Sequence, residues 1–168
     1  MKYFTAIRHA KAEDPLAYSR DFDRPLSEKG QKEAKQSARV IANLEPPVDW
    51  WISSTALRTR ETSDVIGLAI GYAKHTQWED AAYAADADTL LDLLSAVPQE
   101  ATHVVMVGHN PGLEELVTGL CSGGARHMNL HLATSTIAHL ELEIFHWDQI
   151  RWGCGQLRLL VAPKAFKK

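Results

Sequence analysis

The sequence predicts an α/β domain, a three-layer α/β/α sandwich whose mostly parallel central sheet carries an antiparallel C-terminal portion. Three observations lead there. Over the first two thirds of the chain, apolar runs rich in β-branched and aromatic residues alternate with longer stretches of helical period, the order expected of βα units. The run His103-Val104-Val105-Met106-Val107 is apolar after its first residue, as in a strand covered on both faces. From residue 135 to 144 the pattern changes to alternation, with Ala138, Leu140, Leu142 and Ile144 on one face and His139, Glu141 and Glu143 on the other, which fits a strand with one wet side.

In order along the chain, Lys2-Tyr3-Phe4-Thr5-Ala6-Ile7 has the content of a buried strand. The stretch from Glu13 to Pro25, with mixed charge and two prolines, reads as a loop over the strand edge. Ser27 then caps a helix with the apolar stripe Ala34, Ala38, Ile41 and Leu44, stopped by Pro46-Pro47. Asp49-Trp50-Trp51-Ile52-Ser53 is the second strand, and Ser54 or Thr55 caps a helix carrying Leu57, Thr62, Val65, Ile66 and Ala69 up to Gly71. A third strand is placed at Lys74-His75-Thr76-Gln77-Trp78, before Glu79-Asp80. Asp86 or Asp88 caps a helix bearing Leu90, Leu91, Leu93, Leu94 and Val97, closed by Pro98. Beyond the apolar strand, Asn110 suits an N-cap and Pro111 a first helical residue, with Leu113, Leu116, Val117 and Leu120 buried. The alternating strand is followed by another within residues 150–161, across a turn near Trp147-Asp148-Gln149, and the tail after Pro163 reads as loose.

A chain of 168 residues with 45% hydrophobic content can bury one good core, so residues 1–168 are taken as a single domain. A net charge of −3 and a pI near 6.2 give no reason to expect a nucleic-acid partner. No apolar stretch is long enough to span a bilayer and no signal-peptide core follows Met1, so no membrane association and a cytoplasmic location are expected. Cys121 and Cys154 lie far apart without a CxxC partner and read as reduced, core-type thiols.

Three segments end a strand or open a helix with a charged or imidazole side chain: Arg8-His9, Arg58 and Gly108-His109. If the sheet is parallel, all three arrive at its carboxyl edge, where ligands bind in open α/β sheets. Two guanidiniums and two imidazoles there favour a compact dianion, and phosphate is the obvious occupant, because the planar guanidinium fork donates two hydrogen bonds at once to phosphoryl oxygens.

These residues sit in recognisable surroundings. Ile7-Arg8-His9-Ala10 resembles the Arg-His-Gly signature of the histidine phosphatase superfamily (branch 1). Asp23-Arg24-Pro25-Leu26-Ser27-Glu28-Lys29-Gly30, Ser54-Thr55-Ala56-Leu57-Arg58-Thr59-Arg60-Glu61-Thr62 and Val107-Gly108-His109-Asn110-Pro111-Gly112 follow in the family's order. The ensemble is most similar to the small SixA-like phosphohistidine phosphatases. Ala10 stands where the wider superfamily most often has Gly, and Thr55 where a Pro is usual. The resemblance implies a phosphoglycerate-mutase-like fold and a metal-independent, cofactor-free phosphatase in which His9 attacks phosphorus while Arg8, Arg58 and His109 clamp the equatorial oxygens. It also implies Glu79 as a proton donor to the leaving group, against the plainer reading that this carboxylate neutralises the arginines. Arg24 matches the Arg before Pro-Leu that reaches the substrate; Lys11 and Ser135 are placed beside it as substrate-binding residues, although solvated lysines and strand-start serines are ordinary.

The remaining histidines are given plainer roles. His127 and His131 have the spacing of a metal pair but no third ligand, so no metal site is assigned. His139 falls on the wet face; His75, His103 and His146 are read as hydrogen-bonded surface groups. No insertion is long enough to form a lid, so the pocket should be open, which suits phosphohistidine displayed on a phosphotransfer or phosphocarrier protein. The alternatives are a phosphomonoesterase acting on small phosphate esters and a non-catalytic phosphate-binding module. The second is disfavoured because binding requires the donors but not both imidazoles.

Overall fold

The computed structural model describes residues 1–124 and 127–166. Strands β1 (Lys2–Arg8), β2 (Trp50–Ser54), β3 (Thr76–Glu79), β4 (His103–Gly108), β5 (Ile137–Leu142) and β6 (Gly155–Val161) make one sheet in the order β3-β2-β4-β1-β5-β6. The first four of these neighbours are mutually parallel, and β5 runs antiparallel to both β1 and β6. Helices α1 (Glu28–Ile41) and α2 (Leu57–Ile70) cover one face; α3 (Ala87–Ser95) and α4 (Gly112–Ser122) cover the other. The α/β sandwich with its antiparallel extension is the fold expected.

The apolar run in β4 divides cleanly between the layers. Val104 and Met106 enter the core beneath α3 and α4 with Phe4, Leu94, Leu113 and Leu116, while Val105 and Val107 join Ile7, Trp51, Ala34, Ala38 and Ile66 beneath α1 and α2. Each such aliphatic side chain contributes roughly 1.5–3 kcal/mol by leaving water, so the central strands are fixed from both sides and their ends are rigid supports.

Several local expectations are corrected. The stripe of α1 ends at Ile41, Leu44 lying beyond the helix; Ser27 caps it, its Oγ accepting from Gly30 N at 3.1 Å. Neither Ser54 nor Thr55 caps α2: the cap residue is Ala56, with no side-chain bond, because both hydroxyls are committed elsewhere. Asn110 does not cap α4 either. Its amide donates to Glu114 Oε1 at 2.7 Å and Leu132 O at 2.8 Å, and the helix begins at Gly112. That glycine is required by packing, since a Cβ there would overlap the carbonyl of Ala85 in the turn after β3.

His139 is not on a wet face. It is 6% exposed, and its Nδ1 lies 2.8 Å from Thr5 Oγ1, which in turn lies 2.7 Å from Nε2 of the fully buried His103. His103 Nδ1 donates to Pro46 O, so this buried chain resolves to Nδ1–H on both rings. After Pro163 the chain makes a 3-10 turn, Pro163–Phe166, rather than a loose tail, of which the last two residues lie outside the described ones. No helix among the described residues is long and apolar enough to cross a membrane. Both cysteines are free.

Candidate active site

Strand register builds the site. Arg8 pairs with Gly108 in the parallel β1–β4 ladder, so the next residue on each strand is an imidazole: the His9 amide donates to Gly108 O at 3.1 Å, and the His9 and His109 ring centroids are 5.3 Å apart. β2 pairs with β4 on its far side up to Ser53↔Val107, so the α2 start directly after it brings Arg58 to the same edge. All three side chains are buried, at 8%, 5% and 7% exposure for His9, Arg58 and His109.

The hydrogen bonds assign the tautomers. His9 Nδ1 donates to Ala10 O at 2.8 Å, which leaves a lone pair on Nε2, where Arg58 Nε donates at 3.3 Å. Arg58 Nη2 donates to His109 Nδ1 at 3.3 Å, so the proton of neutral His109 is on Nε2, 2.9 Å from Ser54 Oγ. The Nε/Nη2 edge of Arg58 therefore faces both imidazoles at once. The base of this arrangement is tied by Thr62, which accepts from Ala10 N and donates to Arg58 O.

A second edge of Arg58 is also occupied. Nη1 donates to the Asp21 carbonyl at 2.7 Å and Nη2 to Asp21 Oδ2 at 2.9 Å. Asp21 Oδ1 takes Arg24 Nη2 at 2.9 Å, and the Tyr83 hydroxyl donates to Oδ2 at 3.0 Å. The Tyr83 ring meets His109 edge-on, 5.4 Å between centroids.

Electrostatics keep both imidazoles neutral. Burial, followed by the Arg58, Arg8 and Arg24 cations, lowers His9 to about 4 despite its bond to Ala10. Burial, His9 and Arg58 lower His109 to about 3. The Asp21 carboxyl is held below its ordinary range: its partial burial works the other way, and Tyr83, Arg58 and Arg24 outweigh it. At neutral pH the site thus presents an uncharged nucleophilic nitrogen among guanidiniums, the state needed to attack an anionic phosphoryl group.

Of the residues singled out in the sequence, the structure brings together Arg8, His9, Arg24, Arg58 and His109. Arg8 Nη1 donates to Leu132 O at 2.8 Å, and the Nε atoms of Arg8 and Arg24 are buried without a hydrogen-bond partner among the described residues. Glu79 stays outside the cluster. It is registered beside Ser54 across β2 and β3, and its carboxylate accepts from Gln77 at 2.7 Å. Lys11 is exposed, and only its backbone enters the surroundings, through Glu33 and Ser27. Ser135 is fully buried behind the site at φ 57°; its amide donates to the Arg8 and His9 carbonyls, and its hydroxyl pairs with Ser37 at 2.8 Å. His127 Nδ1 lies on Ser122 O and His131 on Glu114, so the two share no partner among the described residues.

Sequence reasoning passed over Asp21, Tyr83, Ser54 and Thr62 as site residues. Asp21 and Tyr83 lie in turns with no periodic signal; Ser54 and Thr62 were visible inside the helix-opening motif but were read as a cap and a stripe residue.

The chain as a whole has relatives. The profile of the histidine phosphatase superfamily (branch 1) matches residues 4–82. A candidate phosphohistidine phosphatase SixA from Agrobacterium tumefaciens is 30% identical, with a TM-score of 0.79 over 96% of this chain and 98% of that one. The chain belongs to this superfamily. A second histidine phosphatase structure, a candidate SixA from Nakamurella multipartitia, is 28% identical with a TM-score of 0.83 over 96% of each chain. A mycobacterial glucosyl-3-phosphoglycerate phosphatase, 17% identical with a TM-score of 0.68 over 94% of this chain and 97% of that one, shares the fold. Membership and the SixA likeness support a phosphatase.

Proposed function

We propose that this histidine phosphatase removes the phosphoryl group from phosphohistidine on a phosphotransfer or phosphocarrier protein, through a covalent phosphohistidine on His9 and without a metal ion. The observation that carries the reading is the pair of bonds to one ring: Ala10 O holds His9 Nδ1–H at 2.8 Å, and Nε2, unprotonated, lies 3.3 Å from the Arg58 guanidinium.

In the first step the Nε2 lone pair forms a bond to phosphorus as the bond from phosphorus to the leaving imidazole nitrogen breaks. That nitrogen keeps the electron pair and takes a proton from solvent. Charge on the equatorial oxygens is met by Arg8, Arg24 and Arg58, and His109 serves as a fourth partner once the dianion raises its affinity for a proton. In the second step a water oxygen attacks phosphorus, the bond to Nε2 breaks and returns its electrons to the ring, the water proton is lost to solvent, and inorganic phosphate leaves.

Two features favour a protein-borne substrate. The cluster is overlain by the short 3-10 turn Asp21–Asp23, with Asp21 itself half exposed, rather than by a cap domain. An imidazole leaving group also requires little acid assistance, in keeping with Glu79 lying outside the cluster.

The test is a substrate panel of a phosphohistidine protein, phosphoserine, sugar phosphates and p-nitrophenyl phosphate, each with and without chelator. Chelator-insensitive release that is fastest from phosphohistidine is expected. Preference for a sugar phosphate would move the reading to a small-molecule phosphomonoesterase, and phosphate binding without turnover would overturn it.

A further inference from the structure

Arg58 uses both edges of its guanidinium, and the two edges have different partners. The Nε/Nη2 edge faces the His9 and His109 nitrogens at 3.3 Å each, where a phosphoryl oxygen pair would be received. The Nη1/Nη2 edge is taken entirely by one residue, Asp21, through its carbonyl at 2.7 Å and its carboxylate at 2.9 Å. The other carboxylate oxygen of Asp21 holds Arg24 at 2.9 Å, while Glu13 O fixes the remaining Arg24 terminal nitrogen at 3.1 Å.

We propose that Asp21 is a positioning residue for phosphoryl transfer: it grips the outer edge of Arg58 and the end of Arg24, aiming both guanidiniums at the phosphoryl group, and Tyr83 locks it in place. The proposal rests on the phosphatase reading above.

Three details support positioning over the alternatives. A carboxylate competing with the phosphoryl group would occupy the Nε/Nη2 edge, and Asp21 occupies the opposite one. A stabilising surface ion pair would be single, whereas this carboxylate serves Arg58, Arg24 and the Tyr83 hydroxyl, each at 3.0 Å or less. Its side chain is 49% exposed, so it adds little to folding. Yet an error of about 1 Å in the placement of a charge-stabilising group costs about 10²-fold in rate.

Tyr83 is itself held from behind, because Phe22 meets it edge-on with 5.1 Å between centroids. The turn carrying Asp21 and the turn carrying Tyr83 thus brace each other over Arg58, whose guanidinium carbon is 5.9 Å from the Tyr83 ring centroid.

The experiment compares wild type with Asp21→Ala, the near-isosteric Asp21→Asn, Tyr83→Phe, and the Asp21→Asn/Tyr83→Phe double variant. For each it measures kcat, KM and inhibition by inorganic phosphate, with melting temperature as a control. Both Asp21 variants are expected to lose about 10²-fold in kcat, more than any change in KM, and to bind inorganic phosphate about tenfold more weakly, with little change in melting temperature. Tyr83→Phe is expected to lose less, and nothing further in the Asp21→Asn background, because it acts through Asp21. Unchanged kcat and phosphate affinity, phosphate binding tightened by Asp21→Ala, or fully additive losses would each overturn the proposal. If the wild type releases no phosphate from any substrate, the phosphatase reading fails, and the phosphate-affinity comparison still decides whether Asp21 positions the guanidiniums.

Discussion

His109 is held from two sides: Ser54 Oγ lies 2.9 Å from its Nε2, and Arg58 Nη2 donates to its Nδ1 at 3.3 Å. The serine fixes the ring so that Nδ1 faces Arg58, where the proposed mechanism puts the phosphoryl oxygens. Replacing Ser54 by Ala frees the ring and leaves Nε2–H buried without an acceptor. We expect kcat to fall about tenfold, equivalent to about 1.4 kcal/mol, with KM changing less. Steady-state kinetics of the variant check this.

His9 is lowered to about 4, chiefly by burial and the Arg58 cation. The proposed nucleophile therefore stays unprotonated well below the ordinary imidazole range. After allowance for the ionisation of the substrate phosphate, kcat/KM should hold level from neutral pH to about one unit above that value and fall only below it. A limb centred on an ordinary imidazole value would count against a buried His9 nucleophile.

The same shifts set the stability profile. His9 and His139 are lowered to about 4 and His109 to about 3, from 6.5, burial being the largest cause in each. Between about pH 6.5 and 4 the unfolded chain binds these protons and the folded chain does not, so the contribution is complete above that window and is lost as pH falls. Each imidazole steepens the loss by about 1.4 kcal/mol per pH unit. Melting temperatures across the window should fall with acidity, and His139→Gln should fall less steeply than wild type.

Glu79 lies one strand from Ser54 and outside the His9–Arg58–His109 cluster. An alkoxide leaving group requires a proton donor more than an imidazole does. Glu79→Gln should therefore leave phosphohistidine turnover nearly unchanged and cost alkyl phosphate esters more; equal losses on both substrates would exclude Glu79 as a proton donor.

Much of this was legible in the sequence, for reasons visible at particular residues. The strands containing Phe4 and Val105 announce themselves because both their faces are buried, and a strand that ends in Arg8-His9 or Gly108-His109 must deliver those side chains to a sheet edge. Asp21 and Tyr83 were not legible, because their role depends on two irregular turns meeting over Arg58. His139 was misplaced for a related reason. Alternation marks two faces of a strand without telling that the second is also covered, and β5 runs between β1 and β6 with Thr5 and His103 against it. Ser54 was legible only as a hydroxyl before a helix, and its partner His109 is 55 positions away.

In the proposed mechanism His9 carries the phosphoryl group between two half-reactions. Rapid alkaline quench of the enzyme with a phosphorus-labelled substrate, followed by mapping of the labelled peptide at alkaline pH and a test of the label's acid lability, measures this directly. An acid-labile, alkali-stable label on His9 that forms faster than turnover and is absent from His9→Ala is expected. A label on another residue, or undiminished turnover by His9→Ala, would contradict it.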